Sequence, residues 1–116
     1  MKAMLATLVL VSIGSVAMAQ AGDVAAGKIK AATCFACHGN NGNSTNAMYP
    51  SLAGKKADFL FERLTAYKKG TVKTENAAMM NPLAATLSEQ DMRDLAAFFQ
   101  AQTPVDPAAS KSRRRR

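Results

Sequence analysis

Two thiols and an imidazole fall within five consecutive residues, Cys34-Phe35-Ala36-Cys37-His38, and the chain has no other cysteine or histidine. Two cysteines three positions apart, followed at once by a histidine, form the attachment signature of c-type haem. The thiols are spaced to form thioethers with the two vinyl groups on one porphyrin edge. The adjacent imidazole is then held under the iron. Cys34 and Cys37 are therefore candidate attachment residues for one haem c, and His38 is a candidate iron ligand.

Three other uses of this motif fit the sequence less well. A thioredoxin-like dithiol needs a βαβ scaffold, but after residue 19 valine and isoleucine occur only at positions 24, 29, 72 and 105, and strands favour such residues. A zinc site would lack a fourth cysteine or histidine ligand. A disulfide between Cys34 and Cys37 would close a small, strained loop and leave His38 unexplained.

Helices must therefore position the motif, and three short ones are predicted. The first covers residues 23–32, with Asp23 as a good N-cap. The second covers residues 57–69 and carries an apolar stripe at helical spacing. The third covers residues 88–102 and begins with a capping box at Ser88. The residues expected to be buried on the second and third helices are Leu60, Phe61, Leu64, Tyr67, Met92, Leu95, Phe98 and Phe99.

The segments between these helices are long for so small a domain. Residues 39–46 are a loop by composition, and residues 71–87 show no helical stripe, so they are predicted to be a second loop. A domain of about 80 residues built in this way has a marginal core. Both features indicate an all-α fold in which three main short helices and their loops wrap one covalently bound haem.

The two ends of the chain are predicted to lie outside this domain. Residues 1–19 read as a signal peptide, because a basic residue precedes an uncharged stretch that ends in Ala17-Met18-Ala19. Retention of the segment as an uncleaved anchor is the alternative, since 17 uncharged residues are the lower limit for spanning a bilayer. Residues 20–103 form the domain, and residues 104–116 read as a disordered basic tail.

The formal net charge of +7 comes mainly from the two ends. Residues 20–110 contain nine basic and eight acidic residues, a net charge of +1, whereas Lys111 and Arg113 to Arg116 add five positive charges to the tail. The nearly neutral body gives no reason to propose nucleic acid as a partner. The tail could attach the protein to an acidic partner or to an anionic membrane surface.

A second axial ligand must come from a residue other than histidine, and methionine is its common partner in cytochromes c. The candidates are Met48, Met79, Met80 and Met92. Met92 lies on the apolar stripe of the third helix and suits the core better. Met48 follows His38 by only ten residues, which leaves little chain to reach the opposite face. Met79 and Met80 lie in the second loop, which could cover that face.

The chain resembles the class I cytochromes c, in particular small bacterial periplasmic electron carriers with one haem or two tandem haems. The resemblance runs from Gly22 to Ala101 and rests on residues 22–27, 34–42, 49–54 and 87–99. It implies the cytochrome c fold. It implies Met80 as the second ligand, because the family's methionine commonly stands eight residues before the serine that opens the last helix. It also implies that the Pro50 carbonyl accepts a hydrogen bond from Nδ1 of His38.

The expected function is electron transfer in the periplasm by one His/Met-ligated haem. The chain has no cluster of catalytic acids, bases or nucleophiles, so it is not expected to be an enzyme by itself. Its partners would be redox proteins that dock transiently. One alternative is a haem subunit of a larger exported oxidoreductase acting on a sulfur compound or an alcohol. Another is a haem gas sensor, which would require displacement of Met80.

Overall fold

The computed structural model describes residues 3, 6–10, 21–74 and 77–105, and the regular structure within them is helical, with no strand. The helices in chain order are α1 (Val24–Lys30), α2 (Phe35–His38), α3 (Ala57–Lys69), α4 (Ala77–Ala85) and α5 (Glu89–Gln100). Single 3-10 turns occur at Ala31–Thr33 and Asn40–Gly42. The predicted all-α architecture is confirmed.

The predicted signal segment, residues 1–19, and the predicted tail, residues 104–116, lie largely outside the described residues. Both remain predictions. Among the residues that are described, none belongs to a helix long and apolar enough to cross a bilayer.

The three predicted helices are present, and their ends follow the expected signals. Asp23 caps α1 by accepting hydrogen bonds from the backbone of the first turn, and α1 passes into a 3-10 turn after Lys30. The α3 helix has the predicted bounds and ends in a left-handed residue at Gly70. Ser88 and Asp91 form the expected reciprocal capping box at the start of α5.

The prediction that residues 71–87 form a loop was wrong in part, because α4 occupies Ala77–Ala85. Most residues of α4 are good helix formers, but apart from Asn81 they are apolar, so no amphipathic stripe marks the segment. Pro82 lies inside the helix, where it removes one backbone hydrogen bond. The helix packs against α3, and this tertiary contact supplies stability that α4 would not have on its own.

The first and last helices cross in close contact at Gly27. A Cβ atom at this position would lie 2.0 Å from the carbonyl oxygen of Asp94 and 2.8 Å from Cβ of Phe98. Any larger residue would force the two backbones apart. Glycine is therefore required here by the crossing, because the nearest atom is a backbone carbonyl oxygen of α5.

Charged side chains join the same two helices beside the crossing. Lys30 of α1 lies 2.8 Å from the carboxylate of Asp91 and 2.6 Å from that of Asp94. Asp94 is buried, and it also accepts hydrogen bonds from the backbone N–H of Asp23 and the side chain of Gln90. Burial opposes ionisation of Asp94, but these hydrogen bonds outweigh it and lower its pKa. The hydrogen bond from Lys30 lowers the pKa of Asp91 to about 2.

We expect acid to weaken the crossing by protonating these two carboxylates. Both pKa values lie below the value of about 3.9 for aspartate in an unfolded chain. Their contribution to the free energy of unfolding is therefore complete above about pH 5 and is lost as the pH falls toward about 2. Lys30→Met removes the ammonium and keeps the aliphatic stem. This variant should be less stable at neutral pH and should depend less on pH in that window.

Denaturant unfolding of the intact protein at a series of pH values measures this effect. Lys28→Met is the matched control, because Lys28 is an exposed lysine of the same helix. It should follow the wild type. If the free energy of unfolding of Lys30→Met falls in parallel with that of the wild type from pH 5 to pH 2, the ion pairs of Lys30 with Asp91 and Asp94 do not cause the acid sensitivity.

Candidate functional site

The three candidate residues of the motif lie on one helical turn. The backbone N–H groups of Cys37 and His38 donate to the carbonyl of Cys34 at 3.3 and 2.9 Å. Residues three and four apart on such a turn are neighbours on one face. The structure thus brings both thiols and the imidazole to the same side of α2.

Phe35, the second residue of the motif, anchors this turn to α5. Its ring centroid lies 6.0 Å from that of Phe98 and 6.4 Å from that of Phe99. The two α5 rings also contact each other edge-on at 5.2 Å. Because α2 has only four residues, it depends on such packing for its position.

His38 is buried, with 7% of its surface exposed, and its ring orientation is fixed by a hydrogen bond. Nδ1 lies 2.8 Å from the carbonyl oxygen of Pro50. A carbonyl oxygen can only accept, so Nδ1 carries the proton and donates. The lone pair of the neutral imidazole is then on Nε2, which is the form that binds a metal.

A tight turn after α2 returns the chain toward His38. Gly39 has a φ of +82°, and a Cβ there would lie 2.0 Å from the carbonyl oxygen of Asn43. Further along, the carbonyl of Gly42 accepts hydrogen bonds from the backbone N–H groups of Leu52 and Ala53. These contacts close the segment that carries Pro50 and set its carbonyl against the imidazole.

Both cysteines are half-buried, and no disulfide joins them. Burial raises the pKa of the Cys34 thiol, so it is uncharged at neutral pH and is not an activated thiolate. In the described parts of the chain, no three cysteine, histidine or acidic side chains are placed to hold a metal ion. The geometry therefore gives no support to a zinc site at this motif.

The four candidate methionines differ in their surroundings. Met92 is 3% exposed and belongs to the buried face of α5. Met48 and Met79 are 57% and 49% exposed. Met80 is half-buried on α4. Of the two neighbouring methionines of α4, Met80 is thus the one turned inward.

Met80 shares the inward face of α4 with a polar residue that the sequence analysis did not single out. Ala77 and Ala84 are buried on this face, and Met80 and Asn81 lie between them, half-buried. The side-chain oxygen of Asn81 is fully buried and has no hydrogen-bond partner. The one available signal was an amide within an otherwise apolar run of residues.

A second overlooked residue is Lys68, near the end of α3. Its ammonium donates to the backbone carbonyls of Ala85, the last residue of α4, and of Leu87, two residues later. Lys68 also lies in the last turn of its own helix, where a positive charge interacts favourably with the helix dipole. Because its partners are backbone carbonyls, no residue type could have revealed the contact.

The donor set fits a covalently attached haem. Cys34 and Cys37 offer two unpaired thiols for thioether bonds, and His38 offers Nε2 to the iron. The unpartnered amide oxygen of Asn81 also suits a site completed by a bound group, because buried polar atoms almost always have partners.

Known proteins with a similar sequence or structure agree with this fit. A family model for cytochrome c matches residues 24–103. Cytochrome c-554(548) of Halomonas halodenitrificans is 45% identical over 82 residues, which cover 71% of this chain and 99% of that protein. The crystal structure of reduced recombinant cytochrome c4 from Pseudomonas stutzeri matches with a TM-score of 0.62 and 37% identity, covering 78% of this chain and 53% of that one.

Thiosulfate dehydrogenase from Marichromatium purpuratum matches with a TM-score of 0.67 and 28% identity, covering 79% of this chain and 25% of that one. The chain therefore spans nearly all of cytochrome c-554(548) but about half of cytochrome c4. Since the family model covers most of the chain and the helical fold agrees, the protein belongs to the cytochrome c family of bacterial class I electron carriers, which hold a covalently bound haem c.

Proposed function

We propose that this chain is a monohaem electron carrier of the periplasm, with its haem attached through Cys34 and Cys37. His38 and Met80 are the two axial ligands. The observation that carries the proposal is the buried imidazole of His38, oriented by the Pro50 carbonyl on the same turn as two unpaired thiols.

The bound haem supplies a one-electron iron couple. The protein's residues determine how that couple is held. The hydrogen bond from Nδ1 of His38 to Pro50 keeps the imidazole in one orientation and raises its basicity as a ligand. The Met80 thioether would supply the other iron ligand, and histidine–methionine ligation raises the reduction potential. With both positions filled by side chains, small molecules find no open site, which suits electron transfer rather than catalysis.

Packing supports rapid transfer by limiting movement of these groups. The turn that carries His38 is fixed by Phe35 against α5, and Met80 lies on a helix that packs against α3. Ligands held in this way change position little between the two oxidation states. Redox partners are expected to dock transiently on the exposed part of the attachment turn, beside Ala36.

A second candidate function is that of a haem subunit in a larger exported oxidoreductase. The observation that favours it is the match to part of a thiosulfate dehydrogenase, of which this chain covers 25%. In that case electrons would pass through a permanent interface instead of a transient one. The native mass should be measured on protein purified from its own cells. A mass that corresponds to a stable complex would favour this second candidate.

We also propose that the protein is exported and that residues 1–19 are removed as a signal peptide, so that the mature chain begins at Gln20. The mature chain would then consist of a domain, residues 20–103, and a basic tail, residues 104–116. Export accords with the bacterial c-type cytochromes that this chain resembles.

Covalent attachment can be checked by mass and by extraction. The mature protein should have the mass of the polypeptide from Gln20 plus one haem, and the haem should remain bound after extraction with acidic organic solvent. Replacing both Cys34 and Cys37 with alanine should leave little folded protein, because the porphyrin supplies much of the core. A mass equal to the bare polypeptide, or fully extractable haem, would refute covalent attachment.

Two single substitutions separate the roles of the neighbouring methionines of α4. Met80→Ala should abolish the sulfur-to-iron charge-transfer absorption of the ferric protein, lower the potential and allow the reduced iron to bind CO. Met79→Ala is the matched control and should leave all three nearly unchanged, since Met79 is half exposed. The opposite pattern would make Met79 the ligand, and CO binding by the wild type would favour a gas sensor.

The role of the tail can be tested by removing its charges. Two hydrogen bonds hold the start of the tail beside the loop that follows His38. The side-chain amide of Asn43 donates to the carbonyl of Thr103 at 3.1 Å and accepts from the backbone N–H of Val105 at 2.8 Å. Deletion of residues 111–116 removes five positive charges. Each contributes about 1 kcal/mol near an anionic surface.

The deletion should leave the visible spectrum and the potential unchanged. It should weaken binding to vesicles that contain anionic lipid, or to an acidic redox partner, and remove most of the salt dependence of that binding. Equal and salt-independent binding by the full-length and shortened proteins would show that the tail has no attachment role.

A further inference from the structure

Lys68 connects three elements of the fold through a single ammonium group. It lies in the last turn of α3, and its Nζ donates to the carbonyl oxygen of Ala85 at 3.5 Å and to that of Leu87. Ala85 is the last residue of α4, and Leu87 immediately precedes the N-cap of α5. The contact therefore joins α3 to the C-terminal end of α4 and to the short connection that leads into α5.

The chemistry of this contact suits a clamp on the end of α4. The last carbonyls of a helix have no partners within the helix, and the C-terminal end of the helix dipole attracts a positive charge. The ammonium of Lys68 meets both requirements, and hydrogen bonds from a charged donor are stronger than neutral ones. The clamp thus attaches the C-terminal end of α4 to α3.

The helix held in this way needs external support. Pro82 removes an internal hydrogen bond from α4, which has only nine residues, too few for stability on its own. Its outward residues Met79 and Leu83 are about half exposed and contribute little burial. The inward position of Met80 therefore depends on contacts at the ends and along one face of α4.

We propose that Lys68 is a positioning residue for the second axial ligand. By holding α4 against α3, it keeps the Met80 thioether directed inward, in the position where it can bind iron. This inference rests on the proposed function, because it takes Met80 as the axial ligand. It does not require Lys68 to touch the haem.

The clamp has a measurable consequence for access to the iron. An added ligand such as imidazole can bind the ferric iron only in the fraction of molecules where Met80 has moved away. Its apparent affinity is therefore proportional to the population of that open state. Removing a hydrogen bond that favours the closed state should raise this population about five- to tenfold and lower the apparent dissociation constant by the same factor.

The test is a titration of the ferric, haem-loaded protein with imidazole. Lys68→Gln should bind imidazole about five- to tenfold more tightly than the wild type. Lys68→Arg should restore the wild-type affinity, because a guanidinium can donate to both carbonyls. Lys69→Gln is the matched control, since it removes the same charge from the adjacent exposed position, and it should behave like the wild type.

Two further measurements separate a positioning role from a general structural one. Without imidazole, Lys68→Gln should retain the sulfur-to-iron charge-transfer absorption, which shows that Met80 still binds in the closed state. Denaturant unfolding reports global stability. A variant that loses global stability but binds imidazole with wild-type affinity would overturn the proposal, and so would an equal effect of Lys69→Gln.

Failure of this inference is distinguishable from failure of the proposed function. If Met80→Ala retains the charge-transfer absorption, the axial assignment itself is wrong and the clamp proposal falls with it. If Met80→Ala loses the absorption and Lys68→Gln binds imidazole like the wild type, only the clamp proposal is overturned.

Discussion

The contact of Phe35 with Phe98 and Phe99 fixes the short turn on which all the candidate attachment chemistry lies. A four-residue helix cannot hold a conformation by itself, so the turn takes its position from α5. The α5 helix is in turn located by its crossing with α1 at Gly27 and by Gln100, whose side chain accepts a hydrogen bond from the first backbone N–H of α3. Displacing α5 would therefore displace the thiols and the imidazole.

The two proposed iron ligands are supported in different ways. The ring of His38 is oriented by residues close to it in sequence, since the chain from Gly39 to Pro50 folds back to place the Pro50 carbonyl against Nδ1. Met80 depends on a separate helix that is held by packing on α3 and by Lys68. A disturbance of α4 can thus reach the methionine without altering the attachment turn. In the proposed site, the histidine and the methionine therefore depend on different parts of the fold.

The elements that the sequence predicted well are those whose signals are local. The bounds of α3 follow from an apolar stripe that ends at Gly70, and the start of α5 follows from the Ser88 capping box. The α4 helix was missed because its residues, apart from Asn81, are apolar on every side and include Pro82. Periodicity cannot identify a helix of that kind, and only its packing against α3 shows why it forms.

The candidate site shows the same distinction. The spacing of the cysteines and the histidine was readable because it is a property of residue types along the chain. The contact of Lys68 with Ala85 and Leu87 was not readable, because the partners contribute backbone oxygens that any residue would supply. The unpartnered amide of Asn81 likewise depends on which way one short helix faces.

The crossing of α1 and α5 also constrains how the chain can fold. Its side-chain hydrogen bonds join residues 64 and 71 positions apart, so most of the domain lies in the loop that they close. Closing a long loop costs entropy before the contact is gained, and contacts of high sequence separation slow folding. Because one partner is the last helix, the crossing forms only after almost the whole domain is available. Completion of the fold therefore waits for α5, and a chain that ends before α5 lacks the Phe98 and Phe99 contacts of its attachment turn.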